Sequence, residues 1–216
     1  MDPGLPHYLV PRAPAAWSSS TAAPGSWHWD GPALPDFVRA DGSGPALQQT
    51  VTRICSDARA LYVRFDCDDR DIWGTYCRRD DPIYDQEAVE IFISPGSATG
   101  SRYYEFEVSP YGTLLDAAIS SSTSRRADLV VDLSWNCPGI HWEAGRDDQS
   151  GRWWAILIIP WAGLVQGDGL PTSWRANFYR IERPHDDEPE FSCWSPTMTR
   201  PADFHQPTYF GTLHLA

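Results

Sequence analysis

From residue 50 to the C-terminus, short stretches of β-branched and aromatic residues follow one another closely, each ended by a turn signal. "TVTRIC" (50–55), "ALYVRFDC" (60–67), "EAVEIFIS" (87–94), "YYEFEVSP" (103–110) and "TLLDAAIS" (113–120) read as strands. "GIHWEA" (139–144), "RWWAILIIP" (152–160), "WRANFYRIE" (174–182) and "YFGTLHLA" (209–216) continue the series, with turns at "SPGSATGS", "SPYG" and "DDQSG". No long stretch carries a 3.6-residue period. Many short strands at this spacing close into a sandwich or barrel. The chain therefore reads as all-β: a single, jelly-roll-like β-sandwich of two mainly antiparallel sheets over residues 50–216. Period-two alternation directs Val63, Phe65, Val89, Ile91, Phe106, Val108, Ile156 and Ile158 into its core. Residues 1–49, rich in Pro, Ser, Ala and Gly between 11 and 35, read as an extended segment packed on that domain.

Charge narrows the function. With 29 acidic against 17 basic residues and a net charge of -12, the chain lacks the basic patch that nucleic acid or an anionic membrane surface requires. Every basic residue is arginine, which removes lysine-nucleophile and Schiff-base chemistry. The six histidines are scattered, so no zinc site is expected. "DCDDRD" (66–71) lacks the glycine turn and distal glutamate of a calcium loop, and reads as a solvated acidic loop. A structural calcium is left open there, and no other cofactor is expected. The five cysteines have neither C-x-x-C spacing nor an even count, and read as free thiols of a reducing compartment. "MDPGLPHYLVPRAPAAW" has no signal-peptide pattern, and no stretch is long and apolar enough to span a bilayer, so the expected location is cytoplasmic.

Alternation in "YYEFEVSP" puts Tyr103, Glu105, Glu107 and Ser109 on one face, opposite Tyr104, Phe106 and Val108. In "EAVEIFIS", Glu90 and Phe92 share a face, and in "WRANFYRIE" Asn177 goes with Tyr179 and Phe178 with Arg180. Whether Tyr179 or Arg180 faces a cleft is left open. Carboxylates and amides among rings are what a sugar-binding sheet needs: rings pack on pyranose C–H faces while polar groups take the in-plane hydroxyls. The 11 Trp, 9 Tyr and 8 Phe exceed what core packing asks for, so part of them is expected at a ligand.

In succession, "ALYVRFDCDDRDIWGTY", "DDPIYDQEAVEIFISP", "YYEFEVSPYGTLLD", "AILIIPWAGL", "WRANFYRIER" and "FHQPTYFGTLHL" resemble the carbohydrate-binding module family nine superfamily, above all its single-domain members. The resemblance implies a non-catalytic module in which two rings sandwich the end of a glycan. It assigns the rings to Tyr84 and Phe204, and polar contacts to Glu90 and Asn177. It departs from the family where Glu107 stands in place of a ligand-binding arginine and Ser109 in place of its asparagine neighbour. That change reverses charge and exchanges a donor fork for an acceptor. The expected ligand is therefore a small sugar or glycan end of different polarity, held by Tyr84, Glu90, Glu105, Glu107, Asn177, Tyr179 and Phe204, with Trp194 and His205 at the edge. The alternative is a cofactor-independent acid–base isomerase or cyclase of a small molecule, with Glu90, Glu105 and Glu107 as its proton carriers.

Overall fold

The computed structural model describes residues 4–19, 22–98, 101–121, 126–165 and 169–216. Parts of the N-terminal lead-in (1–3 and 20–21) and of the turn at 94–101 lie outside them. The strands are β1 (His7–Val10), β2 (Val38–Arg39), β3 (Thr50–Ser56), β4 (Ala60–Asp68), β5 (Ala88–Pro95), β6 (Arg102–Val108) and β7 (Leu114–Ser121). They continue with β8 (Leu129–Asp132), β9 (His141–Asp147), β10 (Arg152–Pro160), β11 (Ser173–Glu182), β12 (Glu190–Cys193) and β13 (Gly211–Leu215). Among the described residues, helix is limited to one turn at Trp161–Leu164 and short 3-10 segments. Among the described residues no helix is long and apolar enough to cross a membrane.

All nine segments read as strands are strands. The four others, β1, β2, β8 and β12, have two to four residues each, too few to show a period. The larger sheet runs β1-β13-β11-β5-β6-β7-β8, with β12 bridging β11 and β2; the smaller runs β3-β4-β10-β9. Among the strands of the described residues, β1 and β13 are the one parallel pair. The N-terminal 49 residues thus contribute two strands to the larger sheet.

Between the sheets, Val63, Phe65, Ala155 and Leu157 of the smaller meet Val89, Ile91, Phe106, Val108 and Phe178 of the larger. Ile156 and Ile158, expected there, point the other way. Ile156 lies opposite Arg64 and Ile158 opposite Tyr62, on the outer face of the smaller sheet. Trp17, Trp27 and Trp29 of the N-terminal segment cover Tyr62 and Ile158 on that face. "AILII" is buried on both faces and carries no polar residue to mark its phase.

Asp69 is a second correction. Read as part of a solvated loop, it is buried between the sheets, where it pairs with Arg180 at 3.0 Å and accepts the Trp153 indole N–H at 2.9 Å. The same guanidinium bonds Glu182. Glu87 and Glu182 converge with Asp69 around it, and burial pushes Glu87 up to about 9 and Glu182 up to about 7. Arginine supplies the positive charge of this cluster. At the other end of β11, Gly211 lets β13 pass under Trp194: a Cβ there would lie 2.3 Å from the indole and 2.8 Å from the Pro6 carbonyl oxygen.

Candidate functional site

The outer face of the larger sheet holds the glutamates. The antiparallel register sets Glu90 of β5 directly opposite Glu107 of β6, and Phe92 opposite Glu105. Directly opposed side chains have Cβ atoms about 5 Å apart, and like charges in that relation repel. Since Glu105 and Glu107 already share a face, the three carboxyls converge, one oxygen of each lying within 4.8 Å of the others. They are 2%, 5% and 1% exposed for Glu90, Glu105 and Glu107. Loss of hydration is the first cause that raises each above the usual carboxylate range, and mutual repulsion adds to it at Glu90 and Glu107. Glu105, helped by the Arg126 charge, is pushed up only to about 7. Burial and mutual repulsion favour the neutral form of Glu90 and Glu107. Among the described residues Oε2 of Glu107 meets no hydrogen-bond donor.

These carboxyls floor a cleft of about 390 Å³ together with Phe92, Leu115 and Ile181. Tyr84, 43% exposed, comes from the 3-10 turn Ile83–Asp85 just before β5. Phe204 forms another wall, stacked on Tyr179 at 4.2 Å and edge-on to Phe191 at 6.0 Å. Val131 of β8 and Leu133 complete the apolar lining. At the rim Arg126 pairs with Asp203 at 3.0 Å, and the Arg183 guanidinium lies over Phe191. His205 Nδ1 is 2.7 Å from the Tyr103 hydroxyl, and burial lowers the imidazole to about 4. It is neutral at pH 7.

Six of the nine residues proposed from sequence therefore line the cleft: Tyr84, Glu90, Glu105, Glu107, Phe204 and His205. Asn177 does not. Its amide is consumed in a reciprocal clamp on Ser195, donating to the Ser195 carbonyl (2.7 Å) and accepting its N–H (3.0 Å). Tyr179 is on the cleft side but wholly covered, its hydroxyl donating to the Phe204 carbonyl at 3.1 Å, so it supports the wall without forming it. Arg180 faces the opposite side. Trp194 also lies on the core side, edge-on to Phe178 at 5.9 Å. Ser109 turns its hydroxyl to the Thr113 amide in the β6–β7 turn, away from the cleft.

Arg126, Arg183, Phe191, Leu133 and Asp203 are cleft residues that sequence reading missed. Four sit in segments with no period; only Asp203, adjacent to Phe204, stood next to a residue already marked. None of the eleven tryptophans lines the cleft. Trp153, Trp161, Trp174 and Trp194 are buried, Trp17, Trp27 and Trp29 cover the smaller sheet, and Trp73 and Trp142 are anchored by indole bonds to the Arg183 and Gly112 carbonyls. The aromatic excess serves packing.

The sequence model of the family described as carbohydrate-binding family 9 matches residues 43–215. A curated relative, an "Extracellular protein" of Arthroderma benhamiae, is 27% identical over 185 residues, covering 82% of this chain and 83% of its own. Among solved structures, a candidate carbohydrate-binding protein from Bacteroides uniformis superposes with a TM-score of 0.67 at 21% identity over 86% of each chain. A carbohydrate-binding module family 9 domain from Caldicellulosiruptor kristjanssonii in complex with glucose gives 0.62 at 13% identity, over 98% of this chain and 96% of that one. Its cellotriose complex gives 0.59 at 12% identity, over 97% and 93%. The structural likenesses establish a shared sandwich, and the sequence match extends over nearly all of it: the chain belongs to carbohydrate-binding family 9.

Proposed function

We propose that the protein binds a small saccharide or the end of a glycan in the cleft walled by Tyr84 and Phe204 and floored by Glu90, Glu105 and Glu107. One observation carries this reading: a half-exposed ring and an apolar wall stand beside three buried carboxyls in a cleft of about 390 Å³, within the size range of small-ligand sites. A ring presents a π-face to sugar C–H groups. A protonated carboxyl both donates and accepts, which suits a hydroxyl. The glucose and cellotriose complexes of the family 9 neighbour support the ligand class.

Calorimetric or NMR titration of the protein with mono- and oligosaccharides tests it. Tyr84→Ala should weaken every sugar by about tenfold, the scale of one lost ring contact. Glu107→Gln should change the ranking among sugars. Absence of saturable binding across the panel, or binding indifferent to Tyr84→Ala, would refute the assignment.

One observation favours a second use of the same cleft. Glu105, held at about 7, is poised to exchange a proton near neutrality. For an isomerase or cyclase, Glu105→Gln would abolish turnover while ligand binding persisted.

A further inference from the structure

We infer that the sugar taken by this cleft bears a free amine, whose ammonium is held among Glu90, Glu105 and Glu107. This rests on the saccharide reading above and specifies its ligand class. The argument starts from what a neutral ligand leaves unexplained. Three carboxyls are buried within 4.8 Å of one another, two of them directly opposed across β5 and β6. A neutral sugar could be ranked by one carboxyl and amides, with no need for the repulsion. An anionic ligand would add to it. A cation turns the convergence into attraction and takes over from the protons that otherwise relieve it.

The geometry suits an ammonium. Its three N–H donors, each about 2.8 Å from an oxygen in tetrahedral directions, set those oxygens about 4.6 Å apart. Oε2 of Glu107 is a buried acceptor without an N–H or hydroxyl donor, and an ammonium provides one. The remaining cleft fits the rest of the ligand: Tyr84 and Phe204 offer ring walls, and the volume exceeds what an ion alone fills. A bare calcium ion, which seeks six to eight oxygens, would leave those walls without a role.

The surrounding charges do not compete for the place. Arg126 is paired with Asp203, the Arg183 guanidinium lies over Phe191, and His205 is neutral at pH 7. Tyr84 and Asp85 flank the trio from the turn before β5 and add no positive charge. N-acetylation would abolish the ammonium and leave a bulkier neutral amide. Discrimination between an amine and its acetamide is thus the signature expected.

The test is calorimetry of the full chain, with EDTA present, against glucosamine, galactosamine and mannosamine, their neutral parents, N-acetylglucosamine, and matched oligomers of chitosan and cellulose. An amine-bearing sugar should bind at least tenfold more tightly than both its neutral and its acetylated counterpart. Binding should release protons, read as a heat that changes with the ionisation enthalpy of the buffer. Glu107→Gln and, separately, Glu90→Gln should shrink the preference, read as the ratio of affinities for an amine-bearing sugar and its neutral parent in the same variant, to about threefold or less, with circular dichroism confirming the fold of each. Equal affinity for amine and parent sugar would overturn the inference and leave the saccharide reading standing. Absence of binding by any sugar would overturn both. Sugar binding that appeared only with added calcium, and not with EDTA, would overturn the inference in favour of a metal at the trio.

Discussion

Glu105→Gln removes one titrating group from the cleft floor while preserving its size and an oxygen that accepts from Glu107. Glu105 ionises at about 7 in the folded protein against an ordinary value of 4.5, with desolvation by burial as the leading cause. Between those values the native state keeps a proton that the unfolded chain has released, so stability falls as pH rises through the window. The contribution of protonated Glu105 is fully present below pH 4.5 and is lost above about pH 7. The gap, at about 1.4 kcal/mol per pH unit, comes to about 3 kcal/mol. Glutamine stands in for the protonated acid at every pH. Wild type and variant should therefore be equally stable near pH 4.5, and the variant should be the more stable by about 3 kcal/mol at pH 8. Glu87 and Glu182 also titrate high but are common to both proteins and cancel in the difference, whereas Glu90 and Glu107 lose the repulsion of a Glu105 charge in the variant, which acts in the same direction. Urea denaturation of the two proteins at half-unit steps from pH 4.5 to 8 measures this directly. A difference that stays flat with pH, or grows toward acid, would refute the assignment of Glu105 as a buried group that resists ionisation.

Asn177→Ala should cost about 2–3 kcal/mol, because it releases the Ser195 clamp and strands buried backbone groups, while sugar affinity changes little; chemical denaturation beside a sugar titration reads both. Gly211→Ala should destabilise by about 1–3 kcal/mol, since the added methyl meets a backbone oxygen at 2.8 Å as well as the Trp194 ring. An unchanged melting temperature would mean that β13 shifts freely. Arg180→Met should cost about 3–5 kcal/mol at pH 7.5 by leaving Asp69 and Glu182 without their cation. That penalty should shrink toward acid as Glu182 takes up a proton, and denaturation at pH 5 beside pH 7.5 tests it.

Local pattern was enough for the architecture. Alternation in "EAVEIFIS" and "YYEFEVSP" marked strands, their core faces, and the glutamates as residents of the other face, because the side-chain direction of a strand follows from its backbone alone. It failed at "RWWAILIIP", where "AILII" is covered on both faces and the one polar residue on the face of Ile156 and Ile158, Arg152, stands at the strand's far start: the two isoleucines went to the wrong side. Other facts depended on partners distant in the chain. The β5–β6 register decided that Glu90 faces Glu107 and turned three separate carboxylates into one coupled trio. The loop after β12 decided that Asn177 clamps Ser195 and that Phe204 covers Tyr179, taking two plausible ligand contacts out of the cleft. Arg126, Arg183 and Phe191 entered it from a 3-10 turn, a loop and the four-residue strand β12, all too short or irregular to show a period. A strand encodes which face a side chain takes; only the closed sandwich decides what it meets there, and hence whether a glutamate is solvated, salt-bridged as Glu182 is, or buried among other carboxyls as Glu107 is.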